Sequence, residues 1–364
     1  MRRNSVAATA IAGATAGVLG LTALTLPAGA EDPDLPAIAP EKLVASVMTA
    51  QPPAMAGTVR VNNNLGIPAI PSTESSGELL SNGSSTVRLW ADGQGRHRIS
   101  LPSEGGGTTV VDDGTTVWKW NASERTVTKY RAEARQESAG QEGSASSPHE
   151  EPEDPVATAQ RMIDTLRQSS RISVDGTAGV AGRDAYELVL TPKPTERTVL
   201  REVRIAVGAE KRLPLRVVVS TENSEDPALR VGFSKLETAP QDAELFRFSP
   251  PAGAQVQQAD KHDRRDTESG THPQVRTVGE GWDSVLVTRV PQQTLQGRES
   301  GQDSEERLPG LREAAEQAGQ RVSGPWGEGW FISTGAGSAL LTSDGRLAAG
   351  AVPQPVLTEA LRGR

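Results

Sequence analysis

The chain has 364 residues and contains no cysteine. This absence excludes disulfide bonds, thiolate metal sites, cysteine nucleophiles and lipidation of an N-terminal cysteine. Histidine is scarce as well, and the four histidines, His97, His149, His262 and His272, do not have the spacing of a metal-ligand set. A net charge of −8 argues against a nucleic-acid-binding surface. We therefore expect neither a metal site nor a nucleic-acid partner.

Catalytic motifs are also missing. The sequence contains no Gly-x-Ser-x-Gly elbow, no Walker loop, no His-Glu-x-x-His and no EF-hand loop. The carboxylate pair Asp112-Asp113 stands beside a predicted hairpin turn, where acidic residues are ordinary. The three glycines at 105–107 precede a strand and not a helix, so a phosphate site is not expected there. The sequence therefore predicts a protein that is not an enzyme and that uses no cofactor.

The N-terminus has the pattern of an export signal. Arg2 and Arg3 precede the uncharged run Val6–Leu26, and the small residues Ala28-Gly29-Ala30 follow it. This order predicts a signal peptide over residues 1–30, with Glu31 as the new N-terminus and an extracytoplasmic protein as the product. The alternative is an uncleaved membrane anchor, because the run is long enough to cross a bilayer.

Beyond the signal, the sequence predicts a mainly β fold of the α+β class. Glycine and proline are frequent, at 37 and 25 residues, and short alternating segments recur up to residue 256, including one at Leu245–Ser249. Their regular spacing favours an antiparallel sheet. The clearest hairpin spans Thr108–Asn121, because Asp113-Gly114 supplies the turn. Apolar residues at helical spacing predict helices at Pro40–Ala50 and from Pro155 onward.

Two polar stretches divide the chain. Residues 131–154 are rich in Ala, Glu, Gln, Ser and Gly and cannot form an apolar face, so a disordered loop is predicted there. Residues 257–274 are interpreted as a linker for the same reason. The first domain then covers residues 31–256, and a small C-terminal α+β domain covers residues 275–364, with a helix at Leu311–Ala318.

Tryptophan provides the first indication of a binding site. In the strand after the Asp113-Gly114 turn, Trp118 and Trp120 alternate onto one side, and Trp90 falls on a neighbouring strand. A sheet covered by two amphipathic helices can enclose an apolar cavity, although the pattern alone favours packing of the same residues as an ordinary core. The candidate cavity residues are Val59, Val61, Leu89, Trp90, Trp118, Trp120, Met162 and Leu166.

Three segments resemble the outer-membrane lipoprotein carrier family, the LolA-like proteins. They are the hairpin Val110–Asn121, the strand Tyr186–Lys193 and the segment Phe246–Val256, and they occur in the family's order. Leu89-Trp90 also matches a Leu-Trp pair of the family, after Gly77-Glu78-Leu79. The resemblance covers about residues 40–256. It implies a curved antiparallel half-barrel with a helical lid, and a carrier that binds a lipid or the acyl chain of a lipoprotein without a cofactor.

The two-domain layout also resembles RseB-like proteins, which join a LolA-like domain to a small C-terminal domain. This alternative implies an envelope-stress regulator that senses lipid and binds a membrane-anchored envelope protein. One departure concerns the arginine that ties the lid to the sheet in the carriers. The position that aligns with this arginine is near Gly93. Arg96 and Arg98 are close to it but in a different register, so we do not assign the role of tying the lid to the sheet to either arginine.

Overall fold

The computed structural model describes residues 33–66, 83–103, 106–131, 155–258, 275–296 and 310–362. The predicted signal peptide lies outside these residues, as do most of the predicted loop at 131–154 and of the predicted linker at 257–274. Within the described residues, none of the helices combines the length and the hydropathy that a membrane crossing requires.

A curved, open sheet of twelve strands forms the first part of the chain. Its order is β12-β6-β5-β4-β3-β2-β1-β11-β10-β9-β8-β7, and neighbouring strands are antiparallel except for the parallel pair of β12 and β6. The mainly β fold class predicted from the sequence is confirmed. The strands are β1 Met55–Asn63, β2 Gly83–Ala91, β3 His97–Leu101, β4 Thr108–Asp112, β5 Thr116–Asn121, β6 Thr126–Arg131, β7 Ser170–Val180, β8 Arg183–Pro192, β9 Leu200–Gly208, β10 Pro214–Thr221, β11 Leu229–Glu237 and β12 Gln255–Gln258.

The β4–β5 hairpin forms where the Asp-Gly signal predicts it. Gly114 has φ +94°, a conformation that favours glycine. The Asp112 side chain accepts the Gly114 N–H at 2.9 Å, and Asp113 accepts the N–H groups of Thr115 and Thr116 at 2.9 and 2.8 Å. The two aspartates therefore fix the turn, which is a structural role.

Two helices lie at the β7 end of this sheet. Helix α1 spans Pro40–Thr49, and its fully buried Leu43 packs into a cluster with Tyr186, Leu188 and Val207. Helix α2 spans Pro155–Ser169 and lies against α1, where Arg167 forms an ion pair with Glu41 at 2.5 Å. Both helices begin with proline, which suits the first turn because its missing N–H is not needed there.

Two sequence predictions in this region are corrected. The segment Leu245–Ser249, predicted as a strand, instead begins inside a 3₁₀ turn at Ala243–Phe246 and continues without regular structure. The Asp242 side chain caps this turn by accepting the Glu244 N–H at 2.9 Å. Strand β7 was not predicted, because Asp175-Gly176 interrupts its alternation. In the structure these two residues form a β-bulge between Val174 and Thr177, in which Gly176 has φ +85°.

A second sheet of six strands follows, in the order β13-β14-β18-β17-β16-β15. A helix at Gln354–Arg362, which the sequence analysis did not predict, packs into a hydrophobic core of this sheet. Its buried residues there are Val356, Leu357, Ala360 and Leu361. The helix predicted at Leu311–Ala318 is present as α4. The elements are β13 Arg276–Val278, β14 Val285–Arg289, α3 Gln292–Gln296, α4 Leu311–Ala318, β15 Gln320–Gly324, β16 Gly327–Thr334, β17 Gly337–Thr342, β18 Arg346–Gly350 and α5 Gln354–Arg362.

Contacts between the two sheets involve the loop between β8 and β9 and the first residue of β7. Trp282 donates its Nε1–H to Ser170 Oγ at 2.7 Å and its backbone N–H to Glu196 at 2.9 Å. Arg197 forms an ion pair with Glu359 at 2.6 Å, and the Val199 N–H donates to the Ala351 carbonyl at 3.0 Å. We call these contacts the junction.

Candidate ligand-binding face

The register of the twelve-stranded sheet assigns each side chain to one of two faces. Direct cross-strand partners share a face, and successive residues in a strand alternate between faces. Val61 is opposite Val231, which is opposite Val217 in turn. Val59 is opposite Val87, and Leu89 is opposite Ile99. We call this side the apolar face, and its central members are Val59, Val61, Val87, Leu89, Ile99, Val110, Val217 and Val231.

The apolar face continues without a break under helix α1. Val217 is opposite Ile205, and Ile205 is opposite Leu188, which belongs to the cluster around Leu43. Toward β7 the face is therefore covered by α1. The central members on β10, β11 and β1 to β4 remain only half-buried. A continuous aliphatic surface thus runs from a covered end to an accessible middle.

The three candidate tryptophans lie on the other side of the sheet, which we call the tryptophan face. Trp90 is opposite Arg98, Arg98 is opposite Val111, and Val111 is opposite Trp118. Trp120 alternates onto the same face as Trp118, as the sequence predicts. Since Leu89 and Trp90 are consecutive in β2, they point in opposite directions. The eight candidate residues therefore do not line a single wall.

The ring of Trp118 packs against other side chains of the protein. Its ring centroid lies 5.6 Å from that of Phe248, and the Lys129 ammonium lies 4.9 Å above the ring. Nearby, Phe246 is buried to 1% exposure beneath the Arg96 guanidinium. The segment after β11 thus packs on this part of the tryptophan face, and the ordinary-core alternative applies to Trp118.

A hydrogen bond also fixes the direction of the Trp118 ring. Its Nε1–H donates to Asp113 Oδ2 at 3.2 Å, while the other carboxylate oxygen holds the β4–β5 turn. Partial burial acts to raise the pKa of Asp113, but the hydrogen bonds from Thr115, Thr116 and Trp118 outweigh it and lower the pKa. The carboxylate is therefore ionised at neutral pH and serves as a structural acceptor.

The remaining two candidates lie on α2, away from the sheet's middle. Met162 is 53% exposed, whereas Leu166 is half-buried. Helix α2 itself lies against α1, β7 and the 3₁₀ turn at Gly281–Asp283. Leu166 is thus near the covered end of the sheet, and Met162 points into solvent.

A cavity of about 300 Å³ opens between the β7–β8 turn and the β9–β10 turn, and the sequence analysis did not predict it. Its apolar side chains are Leu213, Leu215 and Leu236, and its rim carries an ion pair between Arg183 and Glu210 at 3.6 Å. This volume is at the lower end of the range for small-molecule pockets. Glycines and charged residues in hairpin turns are too common to single it out in the sequence.

Reactive groups are sparse across the described parts of the chain. These parts contain no cluster of three or more acidic or histidine side chains suited to a metal ion. His97 Nδ1 lies 3.7 Å from the buried Asp112 carboxylate, which already accepts a turn N–H. Among the described residues, the main feature of the first sheet is the half-buried aliphatic surface of the apolar face.

Comparison with known proteins gives one family match. A family model described as "Predicted periplasmic protein (DUF2092)" matches residues 72–258. No curated protein matches the sequence.

Several solved structures are similar at low identity. The Pseudomonas aeruginosa MucA/MucB complex is 16% identical, with 88% of this chain and 94% of the other covered and a TM-score of 0.39. An uncharacterized conserved protein from Thermus thermophilus is 14% identical, with coverage of 60% and 98% and a TM-score of 0.34. A LolA superfamily protein from Nitrosomonas europaea is 11% identical, with coverage of 58% and 99% and a TM-score of 0.23. Similarity at this level does not identify a ligand or a partner.

Proposed function

This chain belongs to the DUF2092 family of predicted periplasmic proteins, and from that premise we propose that it binds the acyl chain of a lipid or lipoprotein outside the cytoplasm. The acyl chain lies on the apolar face, beside β10, β11, β1 and β2. The protein acts as a non-enzymatic carrier and needs no cofactor.

The observation that carries this proposal is the half-buried aliphatic surface in the middle of the sheet. Val59, Val61, Val217 and Val231 adjoin one another across three strands and keep partial exposure. Burial of a methylene group contributes about 0.8 kcal/mol, so a chain of about 14 carbons gains roughly 10 kcal/mol before the costs of association. This gain is sufficient for stable binding without any covalent step.

Two consecutive valines on β10 provide a matched test. Val217 is on the apolar face and Val218 is on the tryptophan face, and both are half-buried. We expect Val217→Asp to weaken binding of the fluorescent fatty acid cis-parinaric acid about tenfold or more, because the aliphatic chain would desolvate a carboxylate. Val218→Asp should bind as the wild type does.

The titration is done on protein purified from the cell envelope, after circular dichroism has shown that both variants are folded. Equal affinity of the two variants would contradict the proposed place of the acyl chain. Absence of binding by the wild-type protein would contradict the proposed function itself.

A lipid-sensing regulator is the second candidate, and the junction is the observation that favours it. Direct contacts such as the Arg197–Glu359 ion pair join the first sheet to the second, and a regulator requires a connection of this kind. A regulator of this type would hold a membrane-anchored envelope protein and release it when fatty acid is added. Affinity capture from solubilised envelopes, with and without fatty acid, separates the two roles: ligand-dependent release favours the regulator, and fatty-acid binding without such a partner favours the carrier.

A further inference from the structure

Four cationic side chains stand out on the tryptophan face. Arg60 on β1, Arg88 on β2, and Arg230 and Lys235 on β11 are all exposed. Thr58, Arg60 and Asn62 point to the same face of β1, because they are two residues apart. Lys235 and Arg88 are both opposite Thr58, and Arg230 is opposite Asn62, so all four cations share that face. We call these four residues the basic patch.

The basic patch is compact. Arg60 is a diagonal neighbour of both Arg88 and Arg230, because their direct partners lie two residues away on β1. Diagonal neighbours in an antiparallel sheet are about 7–8 Å apart. Like charges at this distance repel one another, so the arrangement favours an anionic partner.

The four cations have no anionic partner of their own among the residues that the structure describes. Their side chains form no ion pair there, whereas Arg204 and Arg216 on the adjoining strands are both paired with Glu187. The nearest carboxylate by register is the exposed Glu237, two residues beyond Lys235. In a chain with a net charge of −8, this is a local excess of positive charge.

The surroundings of the patch favour a bilayer over an acidic polypeptide. Trp90 is two residues from Arg88 on the same face and is half-buried, and the adjoining positions carry the hydroxyls of Thr58 and Thr86. Tryptophan beside Lys and Arg is the composition of surfaces that lie at a membrane interface. We infer that the basic patch docks the protein on the phosphate-bearing headgroups of an anionic phospholipid membrane.

The test uses protein purified from the cell envelope and two kinds of vesicle, phosphatidylcholine alone and phosphatidylcholine mixed with phosphatidylglycerol. We expect co-sedimentation with the anionic vesicles that weakens as salt is raised. The double variant Arg60→Gln/Arg88→Gln should bind them about thirtyfold more weakly, given the contribution of each cation near an anionic surface. The matched control is Lys42→Gln/Arg171→Gln, which removes the same charge from exposed positions outside the patch.

Three results would overturn or redirect the membrane-docking proposal. Equal weakening in both double variants, or equal binding of the wild type to both vesicles, overturns the proposal. The protein could also fail to bind anionic vesicles but bind polyglutamate in a way that depends on Arg60 and Arg88. That result overturns the membrane proposal and favours an acidic polypeptide as the partner. Binding of cis-parinaric acid by the patch variant is measured in parallel and should be unchanged, so a failure here is distinct from a failure of the acyl-binding proposal.

Discussion

At the scale of single residues, the direction of each side chain within its strand decides which surface it forms. Leu89 and Trp90 are neighbours in sequence, yet one belongs to the apolar face and the other to the tryptophan face. The sequence contained this information, because consecutive strand residues must point apart. It did not contain the information that Phe248 would pack on Trp118, since that contact joins positions 130 residues apart.

The packing of Trp118 leads to a prediction about stability. Trp118→Ala should lower the free energy of unfolding by about 2 kcal/mol, because the ring loses Phe248 and the hydrogen bond to Asp113. Affinity for cis-parinaric acid should remain that of the wild type, since Trp118 faces away from the apolar face. Urea denaturation and fluorescence titration provide the two values. Loss of fatty-acid binding in a folded Trp118→Ala variant would contradict this prediction and would show that Trp118 contributes to the binding site.

At the scale of elements, helix α1 is held to the sheet by one face. Leu43 is fully buried against the sheet, whereas Met48 on the same helix is 46% exposed. We expect Leu43→Ala to lower the free energy of unfolding by about 3 kcal/mol, because it leaves a cavity. Met48→Ala should change it by less than about 0.5 kcal/mol. Equal effects in urea denaturation would show that α1 does not pack as described.

Local signals account for the elements that the sequence predicts well. The Asp113-Gly114 turn and the amphipathic helix Leu311–Ala318 are both encoded within a few residues, and both are present. Strand β7 was not predicted because a bulge at Asp175-Gly176 interrupts its alternation, and the 3₁₀ turn at Ala243–Phe246 lies in a segment whose apolar residues resemble a strand. Val59, Val61 and Leu89 of the apolar face were among the sequence candidates, but Val217 and Val231 were not, because Val61 and its partner Val231 are 170 residues apart.

At the scale of the whole molecule, opposite sides of one sheet have different compositions. The apolar face carries aliphatic side chains from β4 to β8. The tryptophan face carries the basic patch at its middle and a packed aromatic group near β5. The second sheet contacts the first at the loop between β8 and β9, through Trp282 and Arg197. A further contact lies just beyond β1, where the Gly335 N–H donates to the Leu65 carbonyl at 2.5 Å.

The proposed place of an acyl chain on the apolar face can be tested by photo-crosslinking with a diazirine-bearing palmitate, followed by mass spectrometry of the labelled peptides. We expect labels on Val59, Val61, Val87, Val217 and Val231, all of which share that face. Labels concentrated on Trp118, Trp120 and Phe248, or absent from the first sheet, would contradict it.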